Sequence, residues 1–211
     1  MKKRNTEFLC LTDVRENGLA LKYIKEQTVK VCEIALNNNP RALKYVRNQT
    51  EELCLVAVNN DPRALKYVRN QTEELCLVAV RLDGPALYLV KDQTIKICLA
   101  AVRQDGCALE YVETQTEEIC LEAVRQNSRA IKYVSEQTEN LCLEAVWQDA
   151  NSLEYIECQN EKICLLAVSG NGLTLEFVKE QTMKICLAAV LNDVSATSFI
   201  SPHILDSVYT L

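Results

Sequence analysis

Nine cysteines, Cys10, Cys32, Cys54, Cys76, Cys98, Cys120, Cys142, Cys164 and Cys186, follow one another at steps of 22 residues with no slip. A fixed period of this size marks a stack of small units, none of which buries its apolar face alone. The period extends well beyond cysteine. Residues 37–58 and 59–80 differ only at Asn39 and Asp61, as after a recent internal duplication. The shared pattern is Q-T-x-x-[IL]-C-L-x-A-V-x-x-[ND]-x-x-A-L-x-Y-V-x-x. Five Gly and four Pro in 211 residues are too few turn formers for a sandwich or barrel of many short strands.

Each unit carries two helix starts. The first is the Thr column: Thr6, Thr28, Thr50, Thr72, Thr94, Thr116, Thr138 and Thr182, with Asn160 as the one replacement. These side chains accept from a free amide of the first turn. Acidic residues often follow, as in Glu51-Glu52, where the helix dipole favours them. The second start is the Asn/Asp column, Asn17 to Asp193, and all nine members are expected to cap. Pro40 and Pro62 then occupy the first helical position, where a missing amide costs nothing.

Short helices are marginal alone and must be held by packing. Leu53, Cys54, Leu55, Ala57 and Val58 cover most of the first helix, which is predicted to form the buried layer. Ala64, Leu65, Tyr67 and Val68 form one stripe of the second, leaving Arg63, Lys66, Arg69 and Asn70 to water. The predicted fold class is all-α, an α-solenoid of about nine 22-residue helix-turn-helix repeats. Its predicted parts are a flexible N-terminus at 1–5, one repeat domain at 6–201 and a C-terminal cap or tail at 202–211.

Composition narrows the setting. The chain is 48% hydrophobic and 25% charged, which suits a folded globular protein. Its net charge is -6 and its pI near 5.0, opposite to the basic footprint usual for nucleic-acid binding. The charge is unevenly placed: residues 1–92 carry 15 basic and 12 acidic side chains, whereas residues 93–211 carry 8 and 17. The longest apolar run, Ile185 to Leu191, falls far short of the ~20 residues of a membrane span. No secretory or lipidation signal is read at the ends, so an intracellular, cytoplasmic protein without membrane attachment is expected.

The run A-L-K-Y-V…Q-T-E-E-L-C-L-V-A-V resembles short tandem helical repeats of unknown function, found in amoeba-infecting giant viruses and some amoeba-associated bacteria. The resemblance covers residues 6–200. It implies a viral or host-interacting repeat protein with an interaction role, in the cytoplasm of an infected cell if viral. It brings no catalytic residues with it.

The cysteine column Cys32, Cys54, Cys76, Cys98, Cys120, Cys142 and Cys164 reads as a structural ladder. Neighbouring rungs are expected ~9 Å apart, beyond the ~7 Å that a disulfide spans between Cα atoms. No C-x-x-C suggests a metal site. Cys as a small buried hydrophobe in a reducing compartment fits best. Cys107 and Cys158 fall outside the ladder and are candidates for exposed thiols. A second column, Gln49, Gln71, Gln93, Gln115 and Gln137, flanked by Gln27, Gln159 and Gln181, sits where helix carbonyls are free. It is expected to form a hydrogen-bond ladder that fixes repeat spacing.

Candidate partner-binding residues come from the columns that vary. Lys22, Lys44 and Lys66 give way to Tyr88, Glu110, Lys132, Glu154, Glu176 and Ser198. Beside them, Lys25, Arg47, Arg69 and Lys91 give way to Glu113, Ser135 and Glu157. One outer face thus runs from basic to acidic. It is either a solvated face or a bipolar docking surface for a partner or a second copy. Trp147 stands at a link where other repeats have Arg or Asn, as a packing anchor or an interface hot spot. Leu82 and Leu191 share that ambiguity.

Three function classes compete. An enzyme is not expected: there is no phosphate loop, nucleophile elbow or metal motif, and His203 is the only histidine. No cofactor is implied. Nucleic-acid binding would use the basic repeats, but the tyrosines are expected inside the apolar stripe, where they cannot stack on bases. The leading expectation is a protein–protein interaction scaffold with an unidentified protein partner, with self-association, including a homodimer, or a purely structural assembly kept open.

Overall fold

The computed structural model describes residues 10–202 and 204–205. Among these residues every regular element is helical. The chain is an all-α helical-repeat solenoid whose helix pairs recur about every 22 residues. The segment 1–5, Thr6, His203 and residues 206–211, for which a loose start, a cap and a terminal fold-over are expected, lie outside the described residues.

Contacts divide the chain into two compact units, Met1–Gln104 and Asp105–Leu211. Unit 1 runs α1 (10–16), η1 (Gly18–Tyr23), α2 (Val29–Asn38), η2 (Pro40–Tyr45), α3 (Glu51–Asn60), η3 (Pro62–Tyr67), α4 (Glu73–Leu82), η4 (Gly84–Leu89) and α5 (Ile95–Gln104). Unit 2 runs η5 (Gly106–Tyr111), α6 (Glu117–Gln126), η6 (Ser128–Tyr133), α7 (Glu139–Gln148), η7 (Ala150–Tyr155), α8 (Glu161–Gly170), η8 (Gly172–Phe177), α9 (Met183–Asn192) and η9 (Val194–Phe199). Here η denotes a 3₁₀ helix. Within each unit α helices pack on the preceding α helix, and η helices on the preceding η helix.

The second helix of each repeat is therefore 3₁₀, not α. Six residues between an Asn/Asp cap and the next link close i→i+3 bonds, such as Ala64 N–H to Asp61 O at 2.8 Å and Val68 N–H to Leu65 O at 3.1 Å. At three residues per turn, Leu65 and Val68 share one buried ridge, and Arg63 and Lys66 share an exposed one. Ala64 and Tyr67 share the third, which is buried at Ala64 and only half-buried at Tyr67. The α layer is also less enclosed than expected: Leu53, Cys54, Ala57 and Val58 are buried, but Leu55 and Val56 are half-buried.

The Thr caps of α2 to α9 form as expected, with Asn160 accepting from Ile163 N at 2.9 Å. Among the η caps Asp83 is the exception: it accepts no amide hydrogen. Its counterparts bond the residue two further on, as Asp61 does with Arg63 N at 3.0 Å. After Asp83 that residue is Pro85, which has no N–H.

The junction between repeats is set where η begins. A Cβ on Gly106 would come within 2.4 Å of Ala123 O, and on Gly18 within 2.3 Å of Ala35 O. The freed glycine amides are collected by the next α helix. Gly18 donates to Asn38 Oδ1, Gly84 to Gln104 Oε1, Gly106 to Gln126 Oε1 and Gly172 to Asn192 Oδ1, all at 2.6–2.7 Å. Pro40 and Pro62 have no such donor, and the residues 20 further on are Asn60 and Leu82. Leu82 is thus an apolar residue where no acceptor is required. At Ala150 the partner is Gly170, where an added Cβ would lie 3.4 Å from Ala150 Cβ.

Candidate interaction face

In each unit the η helices carry the varying charge columns on an exposed ridge. Lys22, Lys44, Lys66 and Tyr88 lie on η1 to η4 of unit 1; Glu110, Lys132, Glu154, Glu176 and Ser198 lie on η5 to η9 of unit 2. All nine are exposed. Lys22, Lys44 and Lys132 lie over the tyrosines that follow them. Lys22 Nζ lies 4.4 Å from the Tyr23 ring centroid and Lys132 Nζ 4.5 Å from that of Tyr133. Lys44 Nζ lies 4.8 Å from Tyr45 and 5.9 Å from Tyr67, bridging two repeats. Cation–π attraction holds each ammonium along the ridge while its remaining protons face water. Hydrogen bonds to Tyr23 and Tyr133 are the first cause that raises the Lys22 and Lys132 ammonium groups above their ordinary value.

Sequence reasoning missed these rings. The Ala64, Leu65, Tyr67, Val68 stripe read at α spacing puts every Tyr in the core. The 3₁₀ turn moves Tyr to the rim, with Tyr23 76% and Tyr111 36% exposed. The adjacent Lys-Tyr pair repeated in η1, η2, η3 and η6 was the available signal.

Arg47 and Arg69 do a different job. Arg47 Nη1 donates to Lys25 O at 2.7 Å, and Arg69 Nη1 and Nη2 donate to Arg47 O at 2.8 Å and Val46 O at 3.0 Å. Lys179 repeats the arrangement in unit 2, donating to Ile156 O and Glu157 O. Where this inner column is Arg47, Arg69, Lys91 or Lys179, it staples its link to the preceding one.

Beneath the links runs the glutamine ladder. Gln49 Nε2 donates to Leu43 O at 3.0 Å and Tyr67 O at 2.9 Å, and its Oε1 accepts from Arg69 N at 3.0 Å. Gln27, Gln71, Gln137, Gln159 and Gln181 make the same three kinds of bond. Gln115 bonds Tyr133 O and Ser135 N, and Gln93 Oε1 accepts the Cys98 thiol at 3.6 Å. Thiol donation recurs at Cys76, Cys120, Cys164 and Cys186, 3.6–3.8 Å from their glutamines. The ladder cysteines from Cys32 to Cys186, including Cys54 and Cys142, are buried. Desolvation pushes the Cys142 thiol up to about 11. A protonated thiol is what the glutamine oxygen can accept from.

Cys158 is exposed and borders a recess of about 470 Å³ with Cys164 and Lys179. Cys107 is half-buried and accepts from Asn127 Nδ2 at 3.4 Å, and burial raises its thiol. In unit 1 the related recess lined by Gln49, Cys54 and Arg69 has about 300 Å³. Trp147, at the end of α7, is 74% exposed, which removes the packing-anchor reading. Among the described residues no cluster of His, Cys, Asp or Glu could hold a metal ion, and no helix is long and apolar enough to cross a membrane.

These features define a class: a helical-repeat solenoid whose repeats are stitched by glutamine and whose η ridge presents charge. The model of a family described as a domain of unknown function (DUF4116) matches residues 95–139, two successive repeats from α5 to the start of α7. No curated protein and no solved structure matches the chain.

Proposed function

We propose that this chain is a non-enzymatic protein–protein interaction scaffold that binds through its η ridge. The observation that carries this reading is the lysine row of unit 1, Lys22, Lys44 and Lys66, exposed on three successive repeats, with Lys22 and Lys44 held over tyrosine rings. A rigid row of like charges at repeat spacing reads an acidic partner by register as well as by sign. Trp147 adds an exposed aromatic of the kind that anchors interfaces. A cytoplasmic setting, viral and directed at a host protein, follows from the resemblance of the repeats.

One observation favours a second reading. Tyr23 is 76% exposed beside Lys22, and a ring next to a cation also suits single-stranded nucleic acid. The experiment that separates the two is affinity capture from a nuclease-treated lysate of the source or its host. A protein enriched by the wild type and lost with Lys44→Glu/Lys66→Glu supports the scaffold. Enrichment that requires intact nucleic acid and falls steeply with salt supports the second reading.

A further inference from the structure

Among the described residues, ion pairs join neighbouring α helices. Lys96 meets Glu73 at 2.5 Å, Lys162 meets Glu139 at 3.1 Å, and Lys184 pairs with Glu161, each pair joining the first turns of adjacent α helices. There the sequence sets opposite charges one repeat apart. On the η ridge of unit 1, and at Glu154 and Glu176 in unit 2, it does the reverse, whereas Lys132 stands between Glu110 and Glu154. Lys22, Lys44 and Lys66 adjoin like charges in unit 1, and Glu154 adjoins Glu176 in unit 2. Like charges in neighbouring repeats repel mildly, so the Lys22, Lys44, Lys66 run and the Glu154, Glu176 pair each favour a complement of opposite sign.

The two rows have matching spacing, because both are set by the same 22-residue repeat. The four-residue row Lys22, Lys44, Lys66, Tyr88 can be laid fully on the five-residue row Glu110, Lys132, Glu154, Glu176, Ser198 in four ways. Three of them set a lysine against Lys132. The fourth, antiparallel, sets Lys44 against Glu176, Lys66 against Glu154, and the exposed Tyr88 ring against Lys132, with Lys22 against Ser198. It contains two opposite-charge pairs, one cation–aromatic pair and no like pair.

Building on the scaffold reading, we infer that one partner of the lysine ridge is a second copy of this chain, docked by the η6–η9 ridge of its unit 2 in that antiparallel register. Each copy offers one basic and one acidic row, so the basic row of one copy meets the acidic row of the other. The complementary rows steer encounter and fix register.

The test uses the full chain and two charge-reversal variants, Lys44→Glu/Lys66→Glu and Glu154→Lys/Glu176→Lys. All four positions are exposed, and unchanged thermal melts confirm the fold. In sedimentation velocity at low salt the wild type associates with rising concentration, and each variant alone weakens association by about tenfold or more. An equimolar mixture of the two variants regains association, because the reversed rows complement each other. Zero-length cross-linking then joins Lys44 to Glu176 of another copy. A wild type that stays monomeric overturns the inference, as does a mixture that fails to regain association. So does a monomeric chain whose lysine ridge instead binds single-stranded nucleic acid. Capture of a different protein through the same lysines, by a monomeric chain, overturns self-docking and leaves the scaffold reading standing.

Discussion

The side-chain amide of Gln49 donates to the carbonyl of Tyr67 at 2.9 Å, across 18 residues and one repeat boundary. That carbonyl closes the last turn of η3, where no intrahelical partner remains. Gln49→Ala leaves Leu43 O, Tyr67 O and Arg69 N–H without these partners. We expect it to cost about 2–3 kcal/mol, several times a single exposed hydrogen bond. Gln49→Glu should cost at least as much, since it turns a donor into a carboxylate facing two carbonyls. Urea melts of both variants decide this; a loss below 0.5 kcal/mol (about one weak bond) would show that spacing is set elsewhere.

Glycine is a spacing device at Gly106, the start of η5, but not at Gly170, the end of α8. Gly106→Ala drives a Cβ to 2.4 Å from Ala123 O, and separation of the repeats is its relief. We expect a loss of about 1–2 kcal/mol. Gly170→Ala meets only Ala150 Cβ at 3.4 Å, an ordinary contact, at the last residue of α8. It should be neutral or gain a few tenths of a kcal/mol from helix propensity. Equal effects in paired thermal melts would contradict the junction described above.

Ser152 occupies the column filled by Ala42, Ala64, Ala86, Ala108 and Ala130. It is fully buried and its hydroxyl makes no hydrogen bond. Ser152→Ala should therefore stabilise the chain by roughly 1 kcal/mol. The buried Thr174 in the same column donates to Asn171 O at 2.7 Å, and Thr174→Ala should not stabilise. Chemical denaturation of the two variants separates a position-wide preference for Ala from the specific orphaned hydroxyl.

The ladder thiols give a pH signature. Burial raises Cys142 from the ordinary 9.0 to about 11 and moves Cys32, Cys54, Cys76, Cys120, Cys164 and Cys186 in the same direction. A folded value above the unfolded one favours the protonated fold. This contribution is complete below pH 9 and is lost as pH rises towards 11. Stability should accordingly fall over that window, and less steeply in Cys142→Ala. At neutral pH a thiol reagent should label Cys158 rapidly and the buried ladder only on unfolding. Rapid labelling of Cys142 in the native state would contradict the buried ladder.

The two-helix repeat and its caps were legible because Thr and Asn/Asp carry a local mechanism that needs no tertiary information. The glutamine column was legible because a two-ended amide beside helix carbonyls has few other uses. The 3₁₀ character of the second helix was not legible: at six residues, α and 3₁₀ spacing both bury Leu65 and Val68 and differ chiefly at Tyr67. Misplacing that one ring hid the lysine–tyrosine ridge. The role of Arg47 and Arg69 was hidden for a related reason. Whether a guanidinium faces solvent or the carbonyl of the previous link depends on how closely repeats stack, which no single repeat encodes.

On the proposed reading, partners bind the η ridge and not the α layer. The most direct measurement compares partner capture by three chains: wild type, Lys44→Glu/Lys66→Glu on the ridge, and Lys162→Glu on the α layer, where Lys162 pairs with Glu139. The ridge variant should lose the captured partner and the α-layer variant should retain it. Equal retention by both, or loss only with Lys162→Glu, would contradict that reading.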